Sequence, residues 1–466
     1  MDKVIASAEA AVADIPDGAT VGIGGFGPQH CWPVGLVKAL GAKGSKDMCV
    51  VATAVGGPGE FSIQHLVEKK LVRKVIASFT IKVGAKTASE AQILAGELEA
   101  ELVPQGIVVE RCRAGGAGIP AFYSPSGAGT PIAAGKDLRY FDGKPYVLEH
   151  AIKLDFALVR AIRADRAGNV QFRGNTRNFN VSIAKAARIT IVEVDEIVET
   201  GEIPPDHVDL PGIFITRVVQ GNQASAPIIP KNSYRRSAET GRSYNGKPAL
   251  TRLGIAKRAA ALVKEGSYVN LGSGIPEQVS NFFKGRDVLL HAENGMLGYG
   301  EIVTGDAIDK HVYSAGGQFV SLVPGACFFD SVTSFEMARG GHIDTVVLGA
   351  YEVDEQANVA NWSTANPLIA NLGGIGGAMD LVAGGSELIV VMEHCDSKGN
   401  RKLRQRCSLP LTGLSCVDWI VTDIALLHWT DGRFVLEEVA PGFTAEEVVA
   451  LTEMKIAVSP NLRTME

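Results

Sequence analysis

Short runs of apolar, β-branched residues recur along the chain, separated by segments with helical spacing. Residues 189–194 and 387–392 are two such runs, and they are typical of strands buried on both faces of a sheet. Within 249–263, in contrast, apolar residues such as Ile255 and Ala259 share one helical face. Strands that alternate with helices predict parallel sheets covered by helices, an α/β fold in which ligands bind at the carboxyl ends of the strands.

The order of these elements repeats once along the chain. Residues 17–24 and 265–272 each follow an Ala/Val-rich run, and each predicts a tight turn and a short buried strand that ends in glycine. Further on, the apolar runs 156–159 and 346–348 match in the same order. A repeat of this kind predicts two homologous open α/β domains in tandem.

A change in composition separates the two halves. Residues 226–248 are polar and rich in Gly, Ser, Arg and Asn, which predicts a linker. The N-terminal domain is then expected at 1–225 and the C-terminal domain at 249–466.

Charge and hydropathy exclude several classes of protein. The 466 residues carry a formal net charge of −6, which argues against a nucleic-acid partner. No apolar run reaches the ~18 residues of a membrane helix, and the first residues lack a secretory signal. Seven cysteines without a Cys-x-x-Cys pair indicate free thiols in a reducing cytoplasm.

Residues 22–27 satisfy the G-x-G-x-x-G pattern of dinucleotide-binding proteins. Pro28, Gln29 and Pro33 interrupt the path from these glycines to the following helix, which spoils the geometry that pyrophosphate needs. An ordinary strand-to-helix turn is therefore favoured over NAD binding. The nine histidines show no metal-ligand spacing, so no metal site is expected, and the absence of a Gly-x-Ser-x-Gly elbow argues against a serine hydrolase.

The segment 288–300 carries the strongest chemical signal. A predicted apolar strand ends at Glu293, which an Asn-Gly turn and further glycines follow. A carboxylate at a strand terminus among glycines can be approached closely by a substrate and can act as a covalent nucleophile. An equally open alternative is that Glu293 caps the turn or pairs with a lysine. A second glycine cluster, 373–380, could supply backbone N–H groups to an oxyanion hole, or form a tight loop without a ligand.

These motifs resemble the class I CoA-transferases, in the branch of succinyl-CoA:3-oxoacid and 3-oxoadipate CoA-transferases. The resemblance covers nearly the whole chain. It rests on motifs in both halves that occur in the same order, among them Gly24–Gly27, Pro104–Gly106, Asn270–Gly272, Glu293–Gly295 and Gly376–Asp380. It implies that the alpha and beta polypeptides of the family are fused into one chain, with two α/β domains facing each other across one active site.

The resemblance also implies a mechanism. Glu293 attacks an acyl-CoA thioester to give an acyl-glutamyl anhydride, and the released thiolate converts this anhydride into a glutamyl-CoA thioester. A carboxylic acid then takes over the CoA by the reverse steps, without external cofactor. Glu293 must be ionised for this attack, so a site that is not too dry is expected. A homodimer or a dimer of dimers is implied, with acyl-CoA and carboxylic acids as partners.

Further residues receive roles only through the resemblance. Gly377 N–H is implied as the oxyanion donor, with Gly376 beside it. The implied substrate or CoA contacts are Gly272, Ser273, Gly274, Asn270, Gln92 and Asn361.

The sequence departs from the family pattern where acids are recognised. Gly35 stands where an Asn is usual, Gly317 replaces a Lys, Ala292 replaces a Ser, and 368–372 lacks the usual lysines. These losses predict a smaller or less charged acid than succinate. An acyl-CoA hydrolase on the same scaffold and a transferase for acids such as acetate remain open, as does a protein without catalytic activity that binds NAD through the 22–27 loop.

Overall fold

The computed structural model describes residues 2–27, 31–57, 59, 62–81, 86–221, 241–363 and 374–466. No helix within these ranges is both long and apolar enough to cross a membrane.

The first half of the chain alternates between strands and helices. Its strands are β1 (Thr20–Ile23), β2 (Met48–Ala54), β3 (Val72–Phe79), β4 (Glu99–Leu102), β5 (Ala121–Ser124), β6 (Leu138–Phe141), β7 (Lys144–His150), β8 (Leu154–Asp165), β9 (Val170–Gln171), β10 (Ala187–Val198) and β11 (Arg217–Gln220). Its helices are α1 (Ala8–Val12), α2 (Val34–Lys43), α3 (Gln64–Glu68), α4 (Ala88–Leu94), α5 (Gln105–Gly116) and α6 (Asn180–Ala186).

The second half follows the same plan. Its strands are β12 (Ser243–Tyr244), β13 (Lys247–Pro248), β14 (Ser267–Leu271), β15 (Val288–Ala292), β16 (Met296–Ile302), β17 (Val320–Phe328), β18 (Thr345–Gly349), β19 (Glu352–Asp354), β20 (Val359–Ala360), β21 (Glu387–Val391), β22 (Leu403–Arg404), β23 (Trp419–Val421), β24 (Ala425–Thr430), β25 (Arg433–Val439) and β26 (Ile456–Thr464). Its helices are α7 (Arg252–Ala260), α8 (Ser331–Arg339), α9 (Ala378–Ala383) and α10 (Ala445–Leu451).

Each half is built on one large sheet. In the first, the order is β11-β10-β8-β1-β2-β3-β4, and all six of these pairings are parallel. In the second, the order is β17-β16-β15-β14-β18-β21-β23-β24-β25-β26, with a parallel centre from β15 to β23. The predicted α/β fold with two tandem sheets is confirmed.

The internal repeat is visible in the strand order. β1 lies between β2 and β8, and β14 lies between β15 and β18, so the first strand along the chain in each large sheet has equivalent neighbours. The apolar runs matched in the sequence fall on β8 and β18. Parallel neighbours direct their carboxyl ends to one edge of each sheet, which is where ligands are expected.

Local sequence explains where α7 begins and which face it buries. The Thr251 hydroxyl accepts a hydrogen bond from Gly254 N–H at 3.1 Å and caps the helix. Ile255, Ala256 and Ala259 are buried against the second sheet. The helix therefore occupies the middle of the segment 249–263 that the apolar spacing predicted.

Part of the predicted linker lies outside the described residues, because 222–240 are not among them. Its last residues form a hairpin, in which β12 and β13 pair. Tyr244 of this hairpin donates to Asp423 Oδ2 at 3.0 Å, and this contact ties the start of the second half to its sheet.

The two halves are joined by hydrogen bonds as well as by packing. Helix α5 packs against α8 and α9. Gln105 N–H donates to Gly376 O at 2.9 Å, and Ile375 N–H donates to Ser78 O at 2.9 Å. These backbone bonds hold the glycine cluster of the second half against the first half.

Candidate active site

A cavity of about 1330 Å³ lies between the two sheets. From the first half it is lined by residues at the ends of β1, β2 and β3, such as Phe26, Ala54 and Phe79. From the second half it is lined by residues that follow β14, β15, β18 and β21. The carboxyl ends of strands from both halves thus enclose one space.

Glu293 lies in the wall of this cavity, directly after β15. It is only 7% exposed, and its Oε2 has no hydrogen-bond partner among the described residues. The chain turns sharply behind it, since Gly295 has φ of +99° and a Cβ there would meet Phe329 O at 2.0 Å. No described lysine pairs with this oxygen, while the carboxylate does contact the backbone N–H of its own residue, so the turn-cap interpretation stays open beside the nucleophile.

A chain of short polar contacts links Asn270, His291 and Ser334 next to Glu293. The register of β14 and β15 places Asn270 beside His291, and Asn270 Nδ2 lies 3.0 Å from His291 Nδ1. His291 Nε2 lies 2.9 Å from Ser334 Oγ on α8. Burial lowers the pKa of His291 to about 4, so the ring is neutral and orients Asn270.

Burial raises the pKa of Glu293 to about 7, and the charge of Asp380 acts in the same direction. The backbone N–H of Glu293 and the side-chain amide of Asn270 oppose this shift. The expectation that the site would not be too dry is wrong: the loss of water around the side chain is the largest effect. A carboxylate with a pKa near neutrality is a stronger nucleophile than a solvated one but is ionised only in part.

Several residues singled out in the sequence meet in the cavity wall. Asn270 itself is fully buried beneath the wall, where it contacts His291. Asn361 Nδ2 donates to Gly349 O at 3.2 Å, and its Oδ1 accepts from the Thr412 hydroxyl. The other predicted residues that line the cavity are Gly272, Ser273, Gly274, Gly317, Gly376 and Gly377.

The backbone N–H to which the sequence gives the oxyanion role belongs to Gly377, which lines the cavity. Among the described residues no acceptor bonds it, while Gly376 O is already engaged by Gln105. A free backbone donor in the same cavity as a buried carboxylate is the arrangement that an acyl-transfer site requires.

The sequence matches the family described as Coenzyme A transferase over residues 5–221 and 253–451. The chain belongs to the coenzyme A transferase family. It is 42% identical to the human succinyl-CoA:3-ketoacid coenzyme A transferase 2, mitochondrial, over 98% of this chain and 90% of that protein. The chain is an enzyme that transfers CoA between an acyl-CoA and an acid.

Shorter relatives and solved structures agree with this assignment. One of the separate subunits of a succinyl-CoA:3-ketoacid coenzyme A transferase from Helicobacter pylori is 44% identical over 48% of this chain and 94% of its own length, consistent with a fusion of two subunits. The acyl-CoA transferase YdiF apoenzyme from Escherichia coli O157:H7 has the same fold, with a TM-score of 0.80 and 22% identity over 100% of this chain and 95% of that one.

Gln92 is not among the described residues that line the CoA-transferase cavity, and its contact with the acyl group stays a prediction. It lies in α4, where its Nε2 donates to Val67 O at 2.8 Å. Gln105 lines the cavity instead, and its side-chain oxygen lies near the backbone of Gly377. The signal for Gln105 was present in the family motif 104–106, which the sequence reasoning used without assigning it a role.

Gly35 is also placed away from the cavity. It lies in the first turn of α2, where a Cβ would meet Glu193 Oε2 at 2.9 Å. The buried Glu193 accepts from Leu36 N–H at 2.9 Å, and burial raises its pKa. Gly35 therefore accommodates this carboxylate, and it is not among the described residues that line the cavity. Residues 368–372, with their missing lysines, fall outside the described ranges.

The glycines of the 22–27 loop serve close packing. A Cβ on Gly24 would meet Asn180 Oδ1 at 1.9 Å, and one on Gly25, at φ of +129°, would meet the Trp32 ring at 2.5 Å. The loop ends at Phe26 and Gly27 in the cavity wall. These contacts explain the glycines without a dinucleotide.

Activity should depend on pH through Glu293. A carboxylate acts as a nucleophile only in its ionised form, so with Glu293 in that predicted role we expect kcat/KM for an acyl-CoA to rise with pH and to level off above about 7. Below that value it should fall by about tenfold per pH unit. Initial rates measured across this pH range give the profile of kcat/KM, and the stability of the enzyme is checked at each pH. A flat profile from about pH 5.5 to 7.5 would contradict the raised pKa.

Proposed function

We propose that the chain moves CoA between an acyl-CoA and a short-chain or 3-oxo monocarboxylic acid, with Glu293 as covalent carrier. The observation that carries the proposal is the unpartnered, buried Glu293 Oε2 in the cavity that Gly377 also lines. A nucleophile and an oxyanion donor in one enclosed space are the parts that acyl transfer needs.

The proposed reaction begins with attack of the Glu293 carboxylate on the thioester carbon. The C–S bond breaks, CoA leaves as thiolate, and an acyl-glutamyl anhydride remains. The thiolate then attacks the Glu293 carbonyl carbon, the donor acid leaves as carboxylate, and a glutamyl-CoA thioester forms. The acceptor carboxylate attacks this thioester, and the same two steps run in reverse. Gly377 N–H stabilises the oxyanion that forms at each attack.

The chemistry of the cavity wall supports an acid with a neutral tail. From the first half, the wall is largely apolar: Phe26, Trp32, Val55, Ile63, Phe79 and Ile81. Among the described residues that line the cavity, every Lys and Arg belongs to the second half. A second carboxylate that faced the apolar wall would lose its water without gaining a partner.

A panel of acceptor acids tests this proposal. With one acyl-CoA donor, acetoacetate, butyrate and acetate should accept CoA, and succinate should give a kcat/KM at least about tenfold lower, because a desolvated charge without a partner costs more than one hydrogen bond. Acyl-CoA formation is followed by chromatography. Equal use of succinate would contradict the proposed acid class.

A reaction without acceptor acid distinguishes transfer from hydrolysis. A transferase should release CoA only up to the amount of enzyme, whereas a hydrolase on the same scaffold would release CoA continuously. Transfer should also follow ping-pong kinetics. Continuous release at the rate of the complete reaction would favour the hydrolase.

We further infer a cytoplasmic homodimer or dimer of dimers. All seven cysteines are free thiols, which supports a reducing compartment. Burial raises the pKa of Cys31 and Cys112 to about 12, so these two are structural thiols and not nucleophiles.

A further inference from the structure

Tyr313 of the second half is fully buried at the junction with the first half. It lies in the connection between β16 and β17. Together with Phe319 of the same connection and Cys31 of the first half, it forms a small buried cluster. Because a buried phenol needs a hydrogen-bond partner, the contacts of its hydroxyl show what this residue connects.

The Tyr313 hydroxyl reaches the cavity wall of the first half. It donates a hydrogen bond to Phe26 O at 2.8 Å, and Phe26 lines the cavity. The Tyr313 ring lies against Gly27, where a Cβ would meet Cε2 of the ring at 2.6 Å. Burial raises the pKa of Tyr313 well above its usual value, so the hydroxyl keeps its proton and stays a donor. The end of the 22–27 loop is therefore held from the second half.

The backbone of Tyr313 is tied to the turn that carries Glu293. The Tyr313 carbonyl accepts a hydrogen bond from Asn294 Nδ2 at 2.9 Å, and Asn294 is the residue after Glu293. Asn294 is fully buried, so breaking this bond would leave a polar group without water to replace its partner. Tyr313 thus contacts both the turn of the proposed nucleophile and the apolar wall of the first half.

Two further hydrogen bonds hold the same turn in place against the first half. Tyr313 N–H donates to Asn175 Oδ1 at 3.0 Å. The Ser331 hydroxyl donates to Glu293 O at 3.2 Å, and Ser331 N–H donates to Asn178 O at 3.2 Å. The position of the Glu293 turn is therefore fixed by bonds that do not involve the Tyr313 hydroxyl.

The hydroxyl bond holds a different part of the site from these backbone bonds. The Phe26 ring lies 6.0 Å from the Phe179 ring, centroid to centroid, which supports the side chain, whereas the Tyr313 hydroxyl holds the Phe26 carbonyl. Loss of the hydroxyl should release the backbone of the wall and leave the Glu293 turn where it is.

We propose that Tyr313 is a positioning residue that determines how long an acid the cavity accepts, because its hydroxyl holds the Phe26 wall at a fixed place relative to Glu293. The inference rests on the proposed function, since it takes Glu293 as the covalent carrier and the apolar wall as the neighbour of the acid tail. A wall that is held in place rejects a longer tail, because overlap between packed atoms is costly.

Tyr313→Phe tests the inference, because it removes only the hydroxyl and keeps the ring and the backbone bonds. With one acyl-CoA donor, the kcat/KM for butyrate divided by that for hexanoate should fall at least about threefold, which is within the contribution of one buried hydrogen bond. A purely structural role would lower kcat/KM for both acids equally. An unchanged ratio would therefore overturn the inference.

Tyr244→Phe is the matched control. Tyr244 is also buried, and its hydroxyl donates to Asp423 Oδ2 at 3.0 Å, but it lies in the β12–β13 hairpin and is not among the described residues that line the cavity. The control variant should lower the thermal midpoint and keep the wild-type ratio of the two acids. If both variants shifted the ratio equally, a general loss of stability would explain the shift and the inference would be overturned.

Hydrogen–deuterium exchange of the free enzyme gives a second readout that does not depend on activity. Peptides that cover 22–27 should exchange at least about threefold faster in Tyr313→Phe than in the wild type, because the loop has lost a bond that holds it closed. Peptides that cover 293–296 should keep the wild-type rate, since Asn294 retains its partner. Unchanged exchange in 22–27 would overturn the inference.

Failure of the proposed function would be seen separately, in a wild type that transfers CoA to no acid. The exchange measurement would then still decide whether Tyr313 holds the Phe26 wall.

Discussion

Glu293→Ala should reduce CoA transfer by at least about 10⁴-fold, the effect expected when a covalent nucleophile is removed. The reason is specific: without the carboxylate neither the anhydride nor the thioester can form. The fold should survive, because Oε2 makes no hydrogen bond within the described structure. Removal of a buried ionisable group should leave the thermal midpoint unchanged or raise it.

The exposed Glu301, which pairs with Lys284 at 3.0 Å, provides the matched control as Glu301→Gln and should keep full activity. Borohydride added after incubation of the wild type with acyl-CoA should reduce the glutamyl thioester, and peptide mass spectrometry should place the change at residue 293. An alanine variant that still exchanges CoA at the wild-type rate would falsify the role of Glu293.

Asp380→Ala should have the largest effect on stability. Its Oδ2 accepts from Gly106 N–H at 2.8 Å, and its Oδ1 accepts from the Ser126 hydroxyl at 2.8 Å and from Arg339 at 3.2 Å. The side chain is fully buried, so alanine would leave two donors of the first half and one charge of the second without this partner. Glu110 lies 3.5 Å from Arg339 and would still pair with it, which reduces the loss of stability.

We expect a loss of about 2–4 kcal/mol in the free energy of unfolding, which corresponds to a fall of roughly 5–15 °C in the thermal midpoint for domains of this size. Differential scanning calorimetry measures it. Asp306→Asn, on an exposed turn, should shift the midpoint by less than about 1 °C. A comparable midpoint for both variants would show that Asp380 does not hold the halves together.

Glu293 could be found from the sequence because its signal is local. An apolar run that ends in a carboxylate and an Asn-Gly turn specifies both the strand and the edge at which it stops. Asn270 received its role only through the family resemblance, and the register of β14 with β15 places it beside His291.

The two glutamines show where local reasoning fails. Gln92 and Gln105 both lie on helices of the first half, and the motif 104–106 around Gln105 carried the resemblance without indicating a role for the glutamine. Only the contact of α5 with the glycine cluster, through Gln105 N–H and Gly376 O, directs one of them to the cavity. That contact joins residues about 270 positions apart, which no pattern of short period can register.

The amino-acid sequence by itself determined the α/β class, the tandem repeat and the strand terminus that carries Glu293, because strand periodicity and turn chemistry act over a few residues. The tertiary structure alone decided which side chains share the cavity and how dry Glu293 is. The physical reason is that desolvation and charge depend on everything packed around a group, and most of that surrounding comes from distant parts of the chain.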